Sequence, residues 1–256
     1  MSSAFILQQA QAFGPGRVTG ILRDFGIPVQ IRKLFAGDEV PSDLDEIRFV
    51  VALGGPMRIA DGAAAEAAFL ANETELLKRM IAIDRPILGI GLGAQLLARA
   101  AGAKVHANPT PEWGWLPVTF PFPGGTEPMV TGMTDGAPMF HWHADTFDLP
   151  RLPGPATPPP PGTPPPPSGN SLLSSSKACK NQAFRFKNRL FGFQFHFELT
   201  AADIDAIVAA HAAEAPALLS ADKMKEIRDQ TEKNLGRYTR LGDRILRNFV
   251  QFTKTY

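Results

Sequence analysis

The chain has 256 residues, a net charge of +1 and 44 % hydrophobic residues, the composition of a globular protein able to bury a sizeable core. Balanced charge argues against a dedicated nucleic-acid binder, and no run of about 18 apolar residues or signal-peptide pattern is present, so the cytoplasm is the expected compartment with no membrane partner. One cysteine, Cys179, excludes an internal disulfide and a cysteine-rich metal site, and any thiol chemistry would have to run through it.

In chain order, residues 4–8 read as a strand, 16–25 as a helix and 29–34 as a second strand. Residues 49–53 form a continuous apolar run that ends at Gly54-Gly55-Pro56, the pattern of a buried parallel strand with a turn at its carboxyl edge. Residues 66–83 have helical spacing, 86–90 read as another buried strand, and 92–101 as a helix that Gly102 is placed to end. This alternation predicts an α/β fold: a mostly parallel open sheet flanked by helices, with functional groups gathered at the carboxyl ends of its strands. Strand signals follow at 115–120, 139–142, 183–186 and 191–195, expected to extend and flank the sheet, before a helix over 201–213.

Ten of the 24 prolines fall within residues 153–167, which read as a solvated polyproline II insertion. Residues 222–252 have the spacing of a long amphipathic helix, with a charge of +4 over 222–256. It is expected either to pack on its own domain or to bind a partner. The expected organisation is one domain over 1–215, with the proline-rich insertion at 151–170, and a C-terminal helical extension over 216–256.

The segment Pro86-Ile87-Leu88-Gly89-Ile90-Gly91-Leu92-Gly93-Ala94-Gln95 joins a buried strand to a helix through alternating glycines, the construction of a nucleophile elbow. A phosphate-binding turn would also use glycines at a helix N-terminus, but no downstream acidic ribose contact accompanies this one. The central position, where a nucleophile belongs, is Gly91. Later in the chain, His196 and Glu198 are two residues apart, so on a strand they share a face as a coupled base and orienter must. His141 and His143 share a face by the same period. With no third ligand evident beside them, they read as structural or pocket-lining, and no metal or other cofactor is expected.

These segments resemble the class I glutamine amidotransferases, whose elbow usually reads Pro-Val-Leu-Gly-Ile-Cys-Leu-Gly-Ala-Gln. Leu53-Gly54-Gly55-Pro56-Met57 is similar to that family's oxyanion strand, and Phe193-Gln194-Phe195-His196-Phe197-Glu198 to its Gln-Phe-His-Pro-Glu motif. The likeness continues through Glu112-Trp113-Gly114-Trp115, through residues 141–147 and 179–185, and covers about residues 4–213. It looks most like the free-standing branch related to the amidotransferase domain of guanosine monophosphate synthetase, and implies a flavodoxin-like sheet.

The resemblance implies that His196 is the base and Glu198 its orienter, with oxyanion donors at the backbone N–H groups of Met57 and Leu92. Gly55, Gln95 and the Ala144-Asp145 backbone would hold the two ends of glutamine. Phe197 stands where the family has proline, and Gly91 where it has the cysteine that forms a glutamyl thioester. Cys179 falls where the family has a non-catalytic cysteine. The expected protein is therefore a non-hydrolytic amidotransferase-like protein binding glutamine, a related small molecule or a protein partner. Two alternatives stay open: a nucleophile-lacking form of a subunit that supplies ammonia to a synthetase and docks on it through the C-terminal helix, or an enzyme that reuses His196 and Glu198 without a protein nucleophile.

Overall fold

A computed structural model of the protein describes residues 2–60, 68–152, 169–214 and 219–254. The elements in chain order are β1 (Ser3–Gln8), α1 (Val18–Asp24), β2 (Val29–Lys33), β3 (Ile47–Ala52), α2 (Ala68–Ala82), β4 (Ile87–Ile90) and α3 (Leu92–Ala100). They continue with β5 (Val105–Val118), β6 (Ala137–Phe147), β7 (Asn170–Ser174), β8 (Ala183–Phe186), β9 (Leu190–Phe193), α4 (Ala201–Glu214) and α5 (Ala221–Lys254). No helix among the described residues is long and apolar enough to cross a membrane.

The main sheet has seven strands in the order β2-β1-β3-β4-β9-β8-β7. The first five run parallel, and β8 and β7 are added antiparallel at one edge. The central strands are apolar throughout because both faces are covered. Period two divides their side chains between two cores. Ala4, Ile6, Phe49, Val51, Leu88, Ile90, Phe191 and Phe193 face α1, α4, α5 and the inner side of the β5–β6 ribbon. Phe5, Leu7, Val50, Ala52 and Ile87 face α2 and α3, where they meet Leu76, Leu77, Met80, Leu96 and Leu97.

The strands β5 and β6 do not join this sheet but pair with one another as an antiparallel ribbon. The α5 helix covers one core with Tyr238, Ile245, Leu246, Phe249 and Val250, all 3 % exposed or less. Trp115 Nε1 of the ribbon donates to Thr231 Oγ1 at 2.9 Å, and its ring meets Tyr238 edge-on. The apolar face that the sequence left open to a partner is thus spent on this chain's own core, and the outward face of α5 carries charge.

Three further differences from the sequence reading have local causes. The strand expected over 191–195 stops at Phe193; the chain then bends, and His196 forms an isolated antiparallel bridge with Phe140 of the ribbon. The strand β7 is missed because its sequence, Asn-Ser-Leu-Leu-Ser, has little strand propensity and is held by pairing with β8. The first half of β5 is hidden by Pro109 and Pro111, which lie in the irregular stretch of its ladder between Ala107 and Glu112. The proline-rich stretch over 153–167 and the expected start of α2 at residues 66 and 67 lie outside the described residues.

Candidate active site

Four adjacent parallel strands, β1, β3, β4 and β9, deliver their carboxyl ends to one edge of the sheet, where open α/β sheets build their sites. At the end of β4 the backbone turns through Gly91, with φ +56° and ψ −118°, directly into α3. A positive φ of this kind strains any residue with a Cβ, and glycine adopts it freely. The turn is pinned on both sides: Gly91 N–H donates to Phe193 O at 2.8 Å and Gly93 N–H to Leu53 O at 3.0 Å.

The vacant side-chain direction of Gly91 points at His196. A Cβ built there would stand 3.0 Å from His196 Nε2 and 3.1 Å from its Cε1. His196 Nδ1 lies 2.7 Å from Glu198 Oε1, and Glu198 Oε2 accepts the Phe197 N–H at 2.8 Å. Both side chains are 1 % exposed. The two residues meet although they sit on a bent segment and not on one face of a regular strand. His196 N–H is tied to Phe140 O at 2.8 Å, which fixes the backbone, and Phe13 packs its ring 5.7 Å from the imidazole. Among the described residues Nε2 has no hydrogen-bond partner.

Beside the elbow lies a cavity of about 410 Å³, a size suited to a small molecule. Its lining includes Gly55, Met57, Leu92, Gln95, Ala144 and Asp145, so the six residues expected to hold substrate converge on one space. Trp113, Trp142 and His211 form an aromatic wall, with ring centroids 5.1–5.2 Å apart. The Asp145 carboxylate is not free: Oδ1 accepts from Arg58 Nε at 2.8 Å, and Oδ2 from the backbone of Ile59 and Ala60 at 3.2 and 3.3 Å. Gln95 Nε2 lies 3.2 Å from Gln194 Oε1 and 3.4 Å from Asp145 O, a bridge from α3 to the segment after β9 and to β6.

His143 also lines the cavity, and the ribbon gives it a neighbour that sequence spacing did not show. Glu112 is directly opposite His143 in the β5–β6 register, and Gly114 opposite His141. Period two then sets Glu112, His141 and His143 on one face. Their ligand-type atoms lie within 4.8 Å of one another, and all three residues are buried. The third group, which the sequence did not place beside the two histidines, comes from the paired strand. Burial pushes His141 down to about 3, against the pull of Glu112, so its ring is neutral at physiological pH.

Cys179 does not join the elbow. Its Sγ lies 3.1 Å from Thr146 Oγ1, and burial pushes the thiol up to about 11.

Several residues near the site gave no sequence signal. Glu73 of α2 is fully buried and accepts from Gln9 Nε2 at 2.7 Å, just past the end of β1. Burial pushes its carboxyl up to about 8, although Gln9 and Arg99 oppose this. Arg17 donates to Phe197 O at 2.6 Å, to Leu199 O, and through Nε to Asp243 of α5 at 2.7 Å. Tyr238 Oη accepts the Leu199 N–H at 3.0 Å, and burial, then Glu198, holds that phenol well above its ordinary range. The segment that carries the dyad is thus clamped from α5. A helical glutamate, an arginine in a loop and a tyrosine 40 residues downstream acquire these places only through tertiary packing.

The family model described as Glutamine amidotransferase class-I matches residues 18–211. A glutamine amidotransferase-like protein of Salmonella typhimurium is 26 % identical over 232 residues, covering 90 % of this chain and 88 % of its own. A glutamine-hydrolysing GMP synthase of Porphyromonas gingivalis is 28 % identical over 192 residues, 70 % of this chain but only 33 % of that protein. The crystal structure of a glutamine amidotransferase from Thermotoga maritima superposes with a TM-score of 0.78 at 24 % identity, covering 97 % of this chain and 98 % of the other. One from Methylobacillus flagellatus gives 0.79 at 24 % identity, covering 98 % and 95 %.

Proposed function

The chain belongs to the class I glutamine amidotransferase family, and from that premise we propose that it binds glutamine or a related small molecule in the cavity beside the elbow without cleaving it through a thioester. The observation that carries this is Gly91: the backbone has the elbow conformation and the side-chain direction meets His196 Nε2 at 3.0 Å, but there is no atom to form the covalent bond.

In the family's reaction a thiolate attacks the side-chain amide carbon, His196 would return the proton to the departing nitrogen as the C–N bond breaks, and water would then release glutamate. Backbone N–H groups of Met57 and Leu92 would receive the charge that develops on the amide oxygen, as fixed donors that need no reorganisation. Gly55, Gln95 and the Ala144-Asp145 backbone would fix the ligand's ends. With glycine at 91 the binding parts of this device remain and the bond-forming part is gone.

The test is ammonia release from glutamine, and glutamine binding by calorimetry, for this chain and for Gly91→Cys. We expect both to bind and only the variant to release ammonia, at a reduced rate because the imidazole must yield a few tenths of an ångström to the new Cβ. Release by the unmodified chain that disappears with His196→Ala would replace this reading with a water activated by the His196–Glu198 pair. A second reading rests on the relatives: glutamine-hydrolysing GMP synthases and a synthase subunit of Methanoregula boonei are among them, so this chain could dock on a synthetase as the nucleophile-lacking form of such a subunit. Co-purification with an acceptor enzyme would favour it.

A further inference from the structure

We infer that Glu112, His141 and His143 form a divalent-metal site suited to Zn²⁺, independent of what the cavity binds and of the elbow. Two imidazoles and a carboxylate are a borderline donor set that zinc accepts readily, and three protein ligands leave a fourth position for water or a ligand atom. The distances are of the right scale. Zn–N and Zn–O bonds of roughly 2.0–2.1 Å put tetrahedral ligand atoms about 3.3 Å apart. Here Glu112 Oε2 lies 2.9 Å from His143 Nε2 and 3.7 Å from His141 Nδ1.

Hydrogen bonding also points to a cation. The His143 Nδ1 atom is 3.0 Å from Asp145 O, a carbonyl that can only accept, so Nδ1 carries a proton and Nε2 is the ring atom directed at Glu112 Oε2. Its Nε2 faces Glu112 Oε2 at 2.9 Å, a contact that requires a positive centre, a proton or a metal ion, between the two atoms. His141, with its side chain fully buried, makes no close hydrogen bond through either ring nitrogen among the described residues: Nδ1 stands 3.7 Å from Glu112 Oε2, and the ring has only a weak contact with the Leu116 backbone. An imidazole that could have been replaced by an apolar side chain in such a place is costly unless something binds it.

The surroundings are those of orienting groups around a metal. Ser176 Oγ donates to Glu112 Oε1 at 2.7 Å and Gln182 Nε2 to Glu112 Oε2 at 2.5 Å, while the Asp145 carbonyl fixes the tautomer of His143. Entry runs through the cavity, since His143 lines it.

The full chain, freed of metal with a chelator, should be titrated with Zn²⁺ alone by calorimetry and with Co²⁺ as a spectroscopic probe. We expect one equivalent bound and the intense visible bands of four-coordinate Co²⁺. His141→Ala should weaken binding at least 100-fold. Ser176→Ala, which loosens Glu112 without removing a ligand, should weaken it about 10-fold. His106→Ala, which removes a half-buried histidine of the same ribbon outside the trio, should leave it unchanged. Absence of binding by the folded, unmodified chain would overturn the inference and leave a proton, as imidazolium, joining His143 to Glu112. Binding that survives in folded His141→Ala with unchanged affinity, or is lost in His106→Ala, would overturn it in favour of a surface site.

Discussion

Gly242 of α5 lies so close to Phe197 that a Cβ on it would fall 2.0 Å from the Phe197 carbonyl oxygen. The same carbonyl accepts from Arg17, which is itself held by Asp243. The C-terminal helix therefore abuts the backbone between His196 and Glu198, and its fit there is a condition for the dyad's geometry. Gly242→Ala should destabilise the protein by about 1–3 kcal/mol through overpacking. Tyr238→Phe, which strands the Leu199 N–H, should cost about as much. Urea unfolding checks both, and in a Gly91→Cys background each should also lower ammonia release, whereas exposed substitutions on the outer face of α5 should do neither.

The His196–Glu198 contact at 2.7 Å gives a graded expectation in the same background. His196→Ala should reduce ammonia release by roughly 10³-fold or more, and Glu198→Gln, which keeps the shape but removes the charge that orients and stabilises the imidazolium, by roughly 10²- to 10⁴-fold. Initial-rate measurements at saturating glutamine would show whether the two losses are redundant, as they should be for groups acting as a unit.

Glu73 couples stability to pH. In the unfolded chain its carboxyl titrates at about 4.3, and in the folded chain burial raises this to about 8. The folded state therefore holds the proton more tightly, and the resulting stability is fully present below about pH 4.3 and lost as pH rises through about 8. Glu73→Gln removes this dependence. Its stability relative to the unmodified chain should improve by a few kcal/mol between pH 5 and pH 8.5, read from paired urea titrations. A difference that stays flat across that range would mean the carboxyl is already ionised in the folded protein.

Burial of the Cys179 thiol, which pushes it up to about 11, makes it inert in the native state. Iodoacetamide at pH 8 should leave it unmodified under conditions that alkylate the urea-unfolded chain completely. Mass spectrometry would read the difference. Rapid native labelling would place Cys179 in a far more open and activated setting, and it would have to be reconsidered as a nucleophile.

Much of this architecture was written locally. Continuous apolar runs at 49–53 and 86–90 required strands covered on both faces, and the alternating glycines around residue 91 required a sharp strand-to-helix turn. The dyad was legible from the two-residue spacing of His196 and Glu198, although the supposed reason, a shared strand face, gave way to a bend held by Phe140. What escaped was contributed by partners distant in the chain. Glu112 matters because of where β6 pairs, Glu73 because Gln9 follows β1 beside it, and Arg17 because α5 returns over the sheet. A polar residue in an ordinary helical or loop sequence does not reveal that it will be buried.

The pairing of β4 with β9, which sets Leu88 beside Phe191, joins segments separated by 103 residues of chain. Closing so large a loop has to precede the contacts that reward it, so the centre of the sheet belongs to the late part of folding. As the chain emerges during synthesis, the glycine elbow has to wait for the strand that brings His196, and that strand's final position is secured by a helix that comes later still. The pocket is thus assembled last and from the far end of the chain, and a truncation that spares every cavity-lining residue can still prevent the pocket from forming.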